Sequence, residues 1–235
     1  MKDNPLPMLN STDLAGLQLC AINLRRKFRV TERKPWTATA SAMELMVQVG
    51  HLASVLLESS TAYPTLADEV REEGRNFDNF GDELADCLLH GLTLTAYLSW
   101  DDSQLDLPPM PCCWPADANA RLLYQITQLV VISSQILEAF MRIEGLRFPQ
   151  NRQPYYDGER HFINNRLNRL IGLLIAMAIE ADLDLAREFE QMSGQTEAFL
   201  EGYDEYAVSQ AQTFKELQEL HQFFSFSSKG ADECP

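Results

Sequence analysis

Four stretches of this chain carry no Asp, Glu, Lys or Arg: residues 45–57, 87–100, 122–137 and 170–179. Each sits inside a longer segment with apolar residues at helical spacing. A helix that is apolar on every side is buried on more than one of them, so the four stretches predict four buried helices with charged helices packed outside. The full pattern predicts helices over 11–29, 38–58, 64–73, 79–99, 117–145, 159–181, 184–200 and 203–225. Alternating runs of β-branched and polar residues, the mark of a strand, are missing, and Gly and Pro gather between the periodic segments. The predicted fold class is all-α with a four-helix-bundle core. Ser41 and Glu44 have capping-box spacing, at the start of the second helix or one turn inside it. "DLPPMPCCWPAD", residues 106–117, is too rich in Pro to continue a helix and reads as a linker.

Two buried helices precede the linker and two follow it. When "LMVQVGHLASVLLE" is laid beside "LVVISSQILEAF", Gln48 falls opposite Ile132 and His51 opposite Gln135. When "DELADCLL" is laid beside "NNRLNRLI", Glu83 falls opposite Asn165 and Asp86 opposite Asn168. The offset is 84 residues for the first pair of segments and 82 for the second, which reads as a diverged duplication of a helical hairpin. The expected organisation is a first repeat over 1–105, a linker over 106–116, a second repeat over 117–225 and a tail over 226–235.

Composition narrows the partners. A formal charge of −15 on 235 residues disfavours general binding to nucleic acid or to an anionic membrane. Six of the 19 basic residues nevertheless lie within "RRKFRVTERK", residues 25–34, either a small anion site or a solvated helix end. The N-terminal "MKDNPLPMLNSTD" has no apolar run of signal type, and "LIGLLIAMAI" is too short to span a bilayer. These runs predict a soluble, cytoplasmic protein with no membrane partner. Five cysteines, Cys20, Cys87, Cys112, Cys113 and Cys234, form no CxxC pair and are odd in number, which predicts free thiols.

The chemistry concentrates on two of the buried helices. Glu83 and Asp86 are three residues apart and share one side of a helix, with His90 one turn further on. Glu44, Gln48 and His51 form a polar stripe on the preceding helix. Buried polar groups need partners, so the two stripes are expected to face each other. Carboxylates on facing helices hold divalent ions: Glu44, Glu83 and Asp86 suit Mg²⁺, whereas His51 and His90 suit a softer ion such as Mn²⁺. The plainer alternative is an ordinary first turn, with Asp82 and Glu83 complementing the helix dipole and His51 bonded to Glu83. Trp36, Tyr63, Phe77 and Phe80 are either base-stacking or core aromatics.

The segment from Trp36 to Ala53, W-x7-ELMVQVGHLA, followed by "DELADCLL", resembles the MazG-like all-α nucleoside triphosphate pyrophosphohydrolases. The likeness is best over 25–98 and extends weakly over 120–200 as the second copy. Members of that family carry an acidic ExxE on one helix and an ExxD on the next. The resemblance implies four acids around Mg²⁺ or Mn²⁺, water attack on the α-phosphorus, and release of a nucleoside monophosphate and pyrophosphate. It implies Glu83 and Asp86 as catalytic acids, and Glu44, Gln48, His51, Glu83 and Asp86 around the metal. Arg29, Arg33 and Trp36 would bind a nucleoside triphosphate or another phosphorylated small molecule. Tandem repeats imply an internal pseudo-dimer, with further homo-oligomerisation left open.

The sequence departs from the family at four places. Gln48 and His51 stand at the ExxE positions, and Asn165 and Asn168 at the second ExxD. Ile132 and Gln135 occupy the second ExxE, and the Lys- and Asn-bearing motif of active members is missing. Neutral Gln and His do not replace two hard anionic ligands, although Glu44 lies one turn away on the same stripe. Arg166 and Arg169 flank the second copy, as phosphate ligands or as partners of acids such as Glu83. The departures leave two outcomes: an enzyme with an altered metal site, or a binding or regulatory protein that has lost catalysis.

Overall fold

The computed structural model describes residues 11–28, 36–59, 80–98, 117–146 and 156–202. Helices α1 (Ser11–Lys27), α2 (Ala38–Ser59), α3 (Phe80–Thr95), α4 (Ala118–Ile143) and α5 (Tyr156–Glu180) are followed by α6 over 185–202. The all-α class is observed, and no strand occurs among the described residues. The helices expected over 64–73 and 203–225, the linker over 106–116 and the tail over 226–235 lie outside the described residues.

Local chemistry sets the helix ends. Thr37 caps α2, its Oγ1 accepting from the Ala40 amide at 3.2 Å, so Ser41 lies one turn inside the helix. Asp117 caps α4 by accepting from the Ala120 amide at 2.8 Å. That helix ends in a left-handed residue, Gly145 at φ 71°, with Leu146 donating to the Met141 carbonyl and Gly145 to that of Arg142. The same arrangement closes α5, where Asp182 takes the left-handed conformation at φ 57°. Asp184 then starts α6 by accepting from the Arg187 amide.

Packing follows the apolar spacing. On α2 the buried apolar residues are Ala38, Ala42, Leu45, Val49, Leu52 and Leu56, alternating by four and three, which is the seam of one helix against others. α3 is buried almost all round, from Gly81 to Thr95, and packs against α1, α2 and α5. α4 packs against α2 and α5. Gly91 permits the close approach of α3 to α5, because a Cβ there would lie 3.0 Å from Leu170 Cδ2. Polar pairs report antiparallel neighbours. Arg142 at the end of α4 grips Glu159 at the start of α5 with two bonds of 2.7 and 2.9 Å, while Arg121 and Glu180 pair at the opposite ends.

The expected cytoplasmic location is corrected here. Ala38–Leu57, Ala118–Ile143 and Gly158–Glu180, of 20, 26 and 23 residues, are long and apolar enough to cross a membrane by length and composition. That points toward a membrane protein rather than a soluble cytoplasmic one. The first two windows are only 33% and 39% buried. Met43, Val47, Val130 and Val131 are among the exposed side chains. The sequence reading measured unbroken charge-free runs, whereas a spanning helix tolerates an occasional charge such as Glu44 or Glu138 within its length.

Candidate functional site

A cleft of about 530 Å³ opens between α1, α2, α3 and α6, within the range of small-molecule sites. α3 supplies one wall through Asp82, Asp86, His90 and Thr93, which recur at helical spacing along one side. α2 supplies Glu44 and Gln48, one turn apart, and Trp36 stands just before that helix. Arg25 and Phe28 enter from α1, and Met192, Gln195, Thr196 and Phe199 from α6. The Arg25 guanidinium lies over the Trp36 ring, 4.4 Å from its centroid, a cation–π arrangement at the rim.

The structure brings together part of the residue set singled out from sequence. Trp36, Glu44, Gln48 and Asp86 line the cleft with His90. Glu83 is buried and, like His51, stands outside the lining, although the α2 and α3 stripes do meet: His51 Nδ1 is 3.9 Å from Glu83 Oε2. That separation is too long for a hydrogen bond. His51 instead bonds Gln48 Oε1 at 3.1 Å, and Gln48 Nε2 donates to Glu44 at 3.1 Å. A carboxylate only accepts, so Gln48 turns its amide nitrogen to Glu44 and its oxygen to His51, which must hold its proton on Nδ1. Arg29 and Arg33 lie outside the described residues, as do Tyr63 and Phe77. On α5, Asn168 is buried, Arg166 lies over the Phe162 ring and Arg169 donates to Gln128 Oε1 of α4 at 3.1 Å.

Among the described residues, no group of three or more His, Cys, Asp or Glu side chains is arranged to hold a metal ion. The set Glu44, Gln48, His51, Glu83 and Asp86, which the resemblance implies around Mg²⁺ or Mn²⁺, is divided between the cleft and the α2–α3 contact. The donors present in the cleft therefore do not make up the implied centre.

Electrostatics single out α3. Burial, reinforced by the positive Arg25, pushes the His90 imidazole down to about 4, so the ring is neutral at pH 7. Burial also raises the Cys87 thiol well above its ordinary range, and the charges of Asp86 and Glu83 add to the effect. Cys87 is a protonated, inert thiol; it and Cys20 are free, and Cys112, Cys113 and Cys234 lie outside the described residues.

Sequence reasoning missed Thr93 and the α6 residues. Thr93 continues the Asp86–His90 stripe by three residues and was open to discovery by counting one more turn. The α6 contribution had no such signal, because helical period says that a face is buried but not what it is buried against. No protein-family model, no curated protein and no solved structure matches the chain.

Proposed function

We propose that this chain is a MazG-like helical protein whose cleft binds a nucleoside phosphate or another phosphorylated small molecule. The observation that carries the reading is the convergence of Trp36, Glu44, Gln48 and Asp86 on one cleft, with Arg25 beside them. Those residues come from the two motifs that carry the resemblance. Arg25 offers a charged donor for a phosphate, and Trp36 a face for a planar base. The proposed scaffold is a four-helix bundle made by two tandem repeats in an internal pseudo-dimer. Its support is the closed ring of neighbours, in which α2 meets α3 and α4, and α5 meets the same two helices.

Binding without turnover is the form of the reading that residue chemistry favours. Gln48 and His51 stand where the resemblance implies carboxylates, and neutral ligands hold Mg²⁺ poorly. A pyrophosphohydrolase is the second reading: Glu44, Asp82 and Asp86 put three carboxylates on the same cleft, although they are not arranged as a metal centre. One experiment separates them: titration calorimetry with a panel of nucleoside mono- and triphosphates, and pyrophosphate release from the same samples with Mg²⁺ and Mn²⁺. Saturable binding weakened by Arg25→Gln, without pyrophosphate, is the expected result. Release of pyrophosphate that Asp86→Asn abolishes establishes the second reading. Absence of binding by every member of the panel refutes both.

A further inference from the structure

α2 and α4 share an outer surface that carries no charge along most of its length. α2 starts beside the end of α4, where the Thr39 amide donates to Glu144 at 3.1 Å, and the two helices pack as antiparallel neighbours. On α2, Met43, Val47, Gly50 and Ser54 recur by four and three on the side away from the core seam, while Glu44 turns into the cleft. On α4, Tyr124, Thr127, Val131 and Ser134 recur in the same way. Charge on α4 returns only at the ends, with the Arg142–Glu138 pair beyond Ser134 and the Arg121–Glu180 pair before Tyr124. A helix whose outer face meets water ordinarily carries charged residues there.

The hydroxyls on this face indicate what covers it. Ser54 Oγ donates to the Gly50 carbonyl at 3.0 Å, Thr127 Oγ1 to that of Tyr124 at 2.6 Å, and Ser134 Oγ to that of Val131 at 2.8 Å. All three protons are held within their own helix, which suits hydrocarbon, where no other partner exists. A protein partner would draw on such donors, at about one hydrogen bond per 100–200 Å² of interface. Tyrosines stand at both ends of the face, as they do at the boundary between lipid and water. Tyr124 marks one end; at the other, Tyr97 packs edge-on against Phe140 of α4 with its hydroxyl 3.2 Å from Ser41 of α2.

The rest of the bundle decides how the face meets the bilayer. α1 packs on α3, and Lys27 of α1 joins Glu197 of α6 at 2.7 Å. Exposed Arg26, Arg187, Glu190 and Glu201 stand on those two helices. A bundle that crossed the bilayer would carry these charges into hydrocarbon, whereas one lying flat keeps them in water. We propose that the α2–α4 face seats this protein in the plane of a bilayer against the acyl chains, with the cleft left open to water. The inference does not depend on what the cleft binds. With a formal charge of −15 the chain is repelled by anionic headgroups, so the attraction is apolar and insensitive to salt.

The test is flotation of the full chain with phosphatidylcholine vesicles, with and without added phosphatidylserine, at low and high salt. Wild type is expected to float with the neutral vesicles at both salt levels. Val47→Asp and Val131→Asp, both at exposed positions, should each weaken partitioning roughly 10-fold, and Val47→Leu should retain it. A second pair of variants, Val131→Trp and Glu190→Trp, reports orientation without adding charge to the face. Brominated phosphatidylcholine should quench the emission that Val131→Trp adds and leave that of Glu190→Trp unchanged. Wild type that stays in the aqueous fraction, or floats only with phosphatidylserine and at low salt, overturns the proposal. Aspartate variants that float like wild type overturn it too, as does equal quenching of both reporters, which would place the whole bundle in the lipid. A wild type that does not float but forms a dimer dissociated by Val47→Asp overturns it in favour of a second copy on this face.

Discussion

Acid should weaken this fold through His90 in a window above the range where ordinary carboxylates titrate. The imidazole is pushed from 6.5 down to about 4 by burial and by Arg25, so the folded chain resists the proton that the unfolded chain accepts. The sign follows from linkage: the unfolded state binds more protons between those two values, so stability falls as pH falls. Above pH 6.5 the group is neutral in both states and contributes nothing. A separation of 2.5 units at about 1.4 kcal/mol each sets a ceiling of about 3 kcal/mol, approached below pH 4. By about pH 5 the loss amounts to about 2 kcal/mol. Arg25 from α1, Glu44 from α2, and Asp82 and Asp86 on α3 line the same cleft. The comparison that isolates His90 is urea unfolding of the wild type and His90→Leu at about pH 7 and about pH 5. The wild type is expected to lose about 2 kcal/mol more than the variant over that interval. Parallel losses in the two proteins, or a His90 ring resonance that titrates near pH 6.5, would refute the reasoning.

Three further outcomes follow from packing and caps. Leu88 is fully buried on the central helix, so Leu88→Ala should cost about 2–5 kcal/mol in the denaturant midpoint, and a loss under about 1 kcal/mol would mean that the helix is not central. Gly145 holds φ 71° with no atom within 4 Å of a built Cβ, so Gly145→Ala carries backbone strain alone and should cost about 1 kcal/mol. Its melting curve is the check, and an unchanged transition would contradict the left-handed cap. The bidentate Arg142–Glu159 pair is part-buried, and a double-mutant cycle to Ala should return a coupling of about 1 kcal/mol; zero coupling would show that α4 and α5 are not joined there.

Much of the helical layout was legible because apolar period is a strong signal over long segments. α2 and α4 were placed to within two residues at each end, but the expectation that they are buried on more than one side did not hold, because Met43, Val47, Val130 and Val131 are exposed. Ser41 and Glu44 have capping-box spacing but lie one turn inside α2, which starts at Ala38 as expected, because Thr37 caps it and an Ala-rich turn extends readily toward the N-terminus. α5 begins at Tyr156, before Gly158, because one glycine in a first turn costs only about 1 kcal/mol and later packing outweighs it.

The candidate site was legible on α2 and α3 and illegible on α6. Glu44, Gln48, Asp86 and His90 announce themselves as polar residues on apolar helices. Met192, Gln195, Thr196 and Phe199 look like any amphipathic surface until the chain path brings them over α3. The division of the acidic pair was also hidden. Positions three apart on a helix differ by about 60° in direction, enough for Asp86 to line the cleft while Glu83 stays outside its lining, near His51.

Trp36 offers the most direct test of the central claim, that a nucleotide sits in this cleft. It lines the cleft rim and is one of three tryptophans in the chain. Fluorescence of the full chain should be titrated with nucleoside 5′-monophosphates beside a Trp36→Phe control. The account predicts saturable quenching in the wild type that disappears in Trp36→Phe. Quenching that persists unchanged in the control would place the ligand elsewhere and contradict the account.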